Sequence, residues 1–251
     1  MATRQQRATS FGTVASEYDR LRSGPANEAI GWLLPADCRA VVDVGAGTGK
    51  LSRALAARVP RVTAVEPDPR MRAVLAVRSP GVRVLAGTGE AIPLPDASVD
   101  GVFVSSAWHW MDPALAIPEI ARVLRDGGRF GVLGTGVDRE AGWLPGVRRS
   151  PDGGERDEAR DRPGRHKVEL PADGLFGNAQ QREFTFTRPM TIDELVDMLA
   201  TYSRLITATP QDRTAALDHA RTVLTERYAG GGELDVPMRT WCWRADRAVR
   251  G

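Results

Sequence analysis

The chain has 251 residues, 42% hydrophobic and 26% charged, the balance of a globular protein and not of a fibre or a disordered chain. Its 34 Lys and Arg against 32 Asp and Glu leave a formal charge of +2, too small and too interspersed for the clustered basic face that nucleic acid requires. Two isolated cysteines, Cys38 and Cys242, exclude a disulfide framework or a zinc cluster, and no apolar run approaches the roughly 18 residues of a membrane-spanning helix.

The first ten residues are polar, with Arg4 and Arg7 and no apolar stretch after them, so no secretory signal is expected and the default location is cytoplasmic. Residues 11 to 34 predict two short helices. Phe11, Val14, Ala15, Tyr18 and Leu21 fall at helical spacing, Gly24-Pro25 breaks the pattern, and Ala29, Ile30, Leu33 and Leu34 form a second apolar face. A regular alternation follows. Strands are expected at Ala40–Gly45, Arg61–Val65, Val82–Leu85, Val99–Ser105 and Arg129–Gly134, the last introduced by a turn at Asp126-Gly127-Gly128. Helices are expected at Lys50–Arg58, Pro69–Arg78 and Asp112–Leu124. Strands alternating with helices imply right-handed crossovers and an α/β, doubly wound, mostly parallel sheet.

From Pro145 to Arg165 the chain is rich in Gly, Pro and charge, and is expected to be a surface insertion or lid. Beyond it, Arg182–Thr187 alternates as a strand and Thr191-Ile-Asp-Glu194 opens a helix with a capping box. Pro210–Tyr228 is a longer helix and Pro237–Ala245 a last strand, bringing the expected total to about seven.

The most informative segment is Asp43-Val-Gly45-Ala46-Gly47-Thr48-Gly49, between the first strand and the next helix. Glycines let the backbone turn tightly and approach a ligand where a Cβ would collide. A dinucleotide fingerprint would read Gly-x-Gly-x-x-Gly; here the third glycine comes one residue early. Asp43, two residues before the first glycine, suits a cationic ligand end and suits a pyrophosphate poorly. S-Adenosylmethionine carries both an ammonium and a sulfonium. Glu66 closes the second strand, where a carboxylate can accept both hydroxyls of a ribose.

With these segments in view, the chain resembles the class I S-adenosylmethionine-dependent methyltransferases, in the broad group related to the ubiquinone and menaquinone biosynthesis enzymes. Four stretches carry the likeness: Phe11-Gly-x-x-Ala-x-x-Tyr18-Asp, Asp43 to Gly49, Gly89-Glu90-Ala-Ile-Pro-Leu-Pro-Asp96-Ala-Ser-Val-Asp100, and Glu119-Ile-Ala-Arg-Val-Leu-Arg-Asp-Gly-Gly128. The resemblance implies a seven-stranded sheet with its last strand antiparallel and a helical cap over the acceptor. One domain, 1–251, would comprise a cofactor core (11–134), a variable insertion (135–181) and C-terminal strands and cap helices (182–251). Asp43, Gly45, Ala46 and Gly47 would cradle the methionine part of the cofactor and Glu66 the ribose. Pro67 and Met71 would lie near the adenine or ribose, with Thr88, Gly89 and Glu90 bordering the adenine. Relatives often carry Asp at the position of Thr88, so that contact would fall to its hydroxyl. Ser105 and Ser106 would sit where the methyl is presented, and Tyr18 would cover the cofactor.

Trp108-His109-Trp110 follows the fourth strand, beside the expected transfer site. His109 could act as general base or simply pack, with the tryptophans as acceptor-pocket wall. Trp241 and Trp243 read as sheet core or pocket. His166 and His219 show no metal-ligand spacing, and the acidic cluster at 152–162 lacks that of a calcium loop, so no metal is expected. The implied reaction is methyl transfer to an O, N or C atom of a small molecule, releasing S-adenosylhomocysteine, by a monomer or homodimer. Two other readings stand beside it. One is a protein that binds the cofactor without turnover. The other is a nucleic-acid methyltransferase, which would carry an Asp/Asn-Pro-Pro-Tyr loop where this chain has Ser105-Ser-Ala-Trp108.

Overall fold

The computed structural model describes residues 15–138, 140–142, 168–172, 174–177 and 179–249. The expectations at Phe11, Val14 and His166, for Trp143 as part of an apolar acceptor wall, and for the 145–165 insertion lie outside them. The described elements run α1 (Ala15–Leu21), α2 (Asn27–Leu33), β1 (Ala40–Val44), α3 (Lys50–Ala56), β2 (Arg61–Val65), α4 (Pro69–Arg78), β3 (Arg83–Leu85) and β4 (Val99–Ser105). A 3₁₀ turn follows at Trp108–Trp110, then α5 (Pro113–Val123), β5 (Leu124–Val137), β6 (Gln180–Met190), α6 (Ile192–Ala200), α7 (Ser203–Ile206), α8 (Pro210–Arg227) and β7 (Leu234–Asp246).

The strands form one seven-stranded sheet in the order β3-β2-β1-β4-β5-β7-β6. β1 pairs in parallel with β2 and β4, β2 with β3, and β4 with β5. β7 runs antiparallel to β5. Gly127 N–H donates to Arg247 O and Arg247 N–H returns to Gly128 O, while Asp138 N–H donates to Pro237 O. Chain order reverses between β1 and β4, and in open α/β sheets ligands bind beyond the carboxyl ends of the strands at such a switch point.

The expected turn at Asp126-Gly127-Gly128 is corrected by the structure. These residues lie within β5, and the β4–β5 register jumps there, from Val99↔Leu124 to Gly101↔Arg129. The feature is a bulge, which Gly127 accommodates at φ 72°. β6 and β7 also extend beyond the alternating cores that predicted them.

The chain divides into two compact units. One comprises residues 23–135, 163–184 and 240–251 and holds the parallel strands. Its core is Val42 and Val44 of β1, Val102 and Val104 of β4, Phe130 and Val132 of β5, Ile117 and Ile120 of α5, and Trp243, with Trp241 packed against it. β1 is buried along its whole length, as expected of a β-branched strand covered on both faces. The other unit comprises residues 1–22, 136–162 and 185–239. Its core joins Leu21, Met190, Leu195, Leu199, Leu224 and Met238. There the capping box of α6 is complete, with Thr191 Oγ1 accepting from Glu194 N–H and Glu194 accepting from Thr191 N–H. In the same unit the Arg22 guanidinium lies 3.8 Å from the Tyr202 ring centroid and 5.4 Å from that of Tyr18.

Candidate cofactor and transfer site

Asp43 is the fourth residue of β1, in register with Ala64 of β2 and Phe103 of β4, and is fully buried. Ser52 Oγ, on α3, donates to its Oδ2 at 2.6 Å. Its Oδ1 is buried and has no hydrogen-bond partner among the described residues. Burial pushes the carboxyl up to about 7; the Ser52 hydroxyl opposes that rise and the Glu66 carboxylate adds to it. A buried carboxylate oxygen without a donor is costly, and a cationic ligand end would supply one.

The glycine loop turns directly beyond it. Gly45 N–H and Ala46 N–H both donate to Val65 O, at 2.8 and 3.2 Å, which ties the loop to the end of β2. Gly45 and Gly47 stand at φ 68° and 56°, where L side chains are strained. A Cβ on Gly45 would meet Ala107 Cβ at 2.6 Å, whereas one on Gly47 would enter open space. The loop is thus closely backed at Gly45 and open at Gly47.

Glu66 is buried at the end of β2. Its Oε2 accepts from Gly47 N–H at 2.8 Å and its Oε1 from Asp68 N–H at 2.9 Å, so it braces both the glycine loop and the loop after β2. Burial raises its pKa despite those two donors. Arg72 Nη1 donates to Glu66 O and Pro67 O, at 2.8 and 2.7 Å. Asp68 caps α4 by accepting from Arg70 N–H at 2.9 Å, and its pairing with Arg70 holds its carboxyl below the ordinary range. Met71 is buried in the first turn of α4.

After β3, Thr88 and Ala91 exchange backbone hydrogen bonds across a tight turn. Gly89 at its tip is pressed against Met111, whose sulfur a Cβ there would overlap. Met111 also lies 3.4 Å from the same built position on Gly45, so it touches the loops after β1 and β3 together. Glu90 Oε1 accepts from Asp112 N–H at 2.8 Å, which commits that oxygen to the loop after β4. Ser105 ends β4, and Ser106 stands at φ 56° with its N–H on Leu133 O. Non-glycine residues in that conformation concentrate at functional sites. Trp108 is buried with its ring 5.4 Å from Phe130, and the His109 ring lies 4.5 Å from that of Trp110, tilted by 43°, both half-buried.

The remaining motif residues form a brace. Arg122 Nε and Nη2 donate to Glu119, Nη1 to Asp96 and Leu94 O, and Nη2 to Ile92 O, while Glu119 Oε1 accepts from Ile92 N–H. The fork pins residues 92–96 to α5. Asp100 accepts from Arg39 N–H and Ala40 N–H at 2.8 Å each and pairs with Arg125. Sequence reasoning placed neither Ser52, Met111 nor Arg122 in a role. The i,i+3 spacing of Glu119 and Arg122 was a usable signal for that pair.

The family model described as a methyltransferase domain matches residues 42–132, the span from β1 to β5. An uncharacterized methyltransferase of Mycobacterium tuberculosis is 43% identical over 250 residues, covering 98% of this chain and 99% of its own. This chain belongs to the class I S-adenosylmethionine-dependent methyltransferases. The methyltransferase is also 29% identical to an uncharacterized methyltransferase-like protein of Schizosaccharomyces pombe over 199 residues, 77% of each chain. Among solved structures, a candidate type II methyltransferase from Anaeromyxobacter dehalogenans shares the fold with a TM-score of 0.62 at 24% identity, covering 91% of this chain and 97% of that one. No helix among the described residues is long and apolar enough to cross a membrane, and no group of three His, Cys, Asp or Glu among them could hold a metal ion.

Proposed function

We propose that the methyltransferase passes the methyl group to an O, N or C atom of a small-molecule acceptor, with positioning as the main source of rate. The observation that carries the cofactor half of this reading is the buried, partnerless Asp43 Oδ1 at the head of a glycine loop open at Gly47. S-Adenosylmethionine, when bound, supplies an electrophilic methyl on a sulfonium. The chain's part is to hold, orient and exclude water. Asp43 takes the ammonium end, with Gly45, Ala46 and Gly47 letting the backbone approach. Glu66 keeps lone pairs for the ribose hydroxyls while bracing both loops. Pro67, Met71, Thr88, Gly89 and Glu90 border the adenine, and Ser105 the methyl.

His109 and Trp110 line the acceptor side, with Trp108 anchoring them to the core. That wall favours an aromatic or otherwise apolar acceptor. Methyl transfer is an in-line displacement from a good leaving group, so holding acceptor and methyl about 3 Å apart in line supplies much of the acceleration.

The test is calorimetric titration of wild type and Asp43→Ala with S-adenosylmethionine and S-adenosylhomocysteine, followed by an acceptor screen read by a mass gain of one methylene. Micromolar binding lost in the variant supports the site. Undiminished binding to Asp43→Ala, or none to folded wild type, overturns it.

A further inference from the structure

The cofactor contacts proposed for Asp43 and the glycine loop do not themselves involve Ser52. Yet it is a buried hydroxyl in an apolar setting, between the core residues Leu51 and Leu55 of α3, and it spends its proton on one oxygen of Asp43. An alanine would have filled that helical position at no conformational cost. Among the described residues the hydroxyl donates to Oδ2 and nothing donates to Oδ1. Ser52 therefore fixes the rotation of the carboxylate, engaging Oδ2 and leaving Oδ1 as the oxygen presented.

Resting on the cofactor reading above, we propose that Ser52 is a positioning residue that orients Asp43 and keeps it ionised for the cationic end of the cofactor. The charged neighbour that acts on Asp43 is Glu66, at the end of β2. The residues in register on either side of it are Ala64 and Phe103, neither titratable. With burial and Glu66 both favouring the neutral acid, the Ser52 hydroxyl is the largest influence favouring the anion. Only the anion attracts an ammonium strongly, so affinity for the cofactor should rise with pH through the neutral range. Removing the hydroxyl should carry that rise to higher pH.

The experiment is calorimetric titration of the full chain with S-adenosylhomocysteine at intervals from about pH 5.5 to about pH 8.5, spanning the window in which a raised carboxyl titrates. Wild type, Ser52→Ala, Ser52→Cys and Asp43→Ala are compared. Ser52→Cys keeps a donor at the same branch point, weaker and somewhat larger than the hydroxyl. Glu66 is present in all of them, so a difference between the first three isolates Asp43. A midpoint moved up by about one pH unit in Ser52→Ala, with affinity about tenfold lower below the midpoint and converging on wild type at high pH, supports the proposal. So does an intermediate midpoint in Ser52→Cys. An unchanged pH profile in Ser52→Ala overturns it, as does a uniform loss with the midpoint unmoved. Binding by Asp43→Ala equal to wild type, or none by wild type, overturns the cofactor reading instead and removes the basis of this one.

Discussion

Replacing Asp43 by Asn separates what the carboxylate does for a ligand from what it costs the fold. Burial raises its pKa from about 3.8 to about 7, against the Ser52 hydroxyl and with the help of Glu66. An acid raised on folding holds its proton longer in the folded state, so stability is highest at low pH, falls as pH climbs from about 3.8 to about 7, and levels beyond. At roughly 1.4 kcal/mol per unit, the interval amounts to roughly 4 kcal/mol at pH 8 and only about 1.5 kcal/mol at pH 5. Asparagine keeps the shape and an oxygen for Ser52 but carries no charge. The ligand-free variant should therefore be more stable than wild type by up to that amount, at about 2–4 °C of Tm per kcal/mol. Urea unfolding followed by tryptophan fluorescence at pH 5, 6, 7 and 8 reads it. The gap should widen by about 1.4 kcal/mol per pH unit up to neutrality and then flatten, and the variant should gain nothing from S-adenosylhomocysteine. A gap independent of pH, or a variant less stable than wild type at pH 8, would refute the idea that an ionised Asp43 strains the empty fold.

Gly89→Ala should drive its methyl into the Met111 sulfur, costing about 1–3 kcal/mol by overpacking; in a Met111→Ala background, itself destabilised by the loss of a buried side chain, the same change should cost little more, and a neutral single variant in urea unfolding would contradict the geometry. Arg122→Ala should cost about 1–3 kcal/mol by stripping donors from Ile92 O, Leu94 O and Glu119. Arg122→Lys should not rescue it, since an ammonium cannot reproduce the fork, and equal chemical stability of the lysine variant would count against the brace. His109→Gln should leave S-adenosylhomocysteine affinity within about twofold and lower kcat by less than about a hundredfold, the lower bound expected of a general base. A larger loss, confined to kcat, would assign His109 the base role that positioning alone does not need.

The parallel half of the sheet was legible because its signals are local. β1 shows a β-branched run ending in glycine, and α4 shows Asp68-Pro69 at its start, both visible within a few residues. The placement of Asp43 and Glu66 near the carboxyl ends of β1 and β2 was legible for the same reason, as acids beside a glycine loop. The bulge at Gly127 was not. Its partner is Arg247, distant in the chain, and without β7 beside it Asp126-Gly127-Gly128 reads as a turn. Ser52 and Met111 were hidden in a different way. A serine on a short helix and a methionine after a tryptophan look like filler until the fold brings one to Asp43 and the other to Gly89. Glu90 shows how a motif position can serve structure, since one of its oxygens holds Asp112 N–H.

Asp43 and Glu66, both buried, differ in what they have left to give. Each Glu66 oxygen already accepts a backbone N–H, from Gly47 and from Asp68, so its charge is spent largely on loop geometry. Asp43 has donors from Ser52 alone and one bare oxygen, so a cation gains most there. The same change of acid to amide should then act with opposite sign at the two positions. Glu66→Gln turns an acceptor into an NH₂ facing a backbone N–H. It should lower stability by about 1–3 kcal/mol and weaken S-adenosylhomocysteine through the loosened glycine loop, whereas Asp43→Asn should raise stability while losing the ligand. Urea unfolding of both variants at pH 8 decides it. Stabilisation by both would mean that Glu66, too, is held at a cost to the empty fold and that its two backbone hydrogen bonds do not offset its burial.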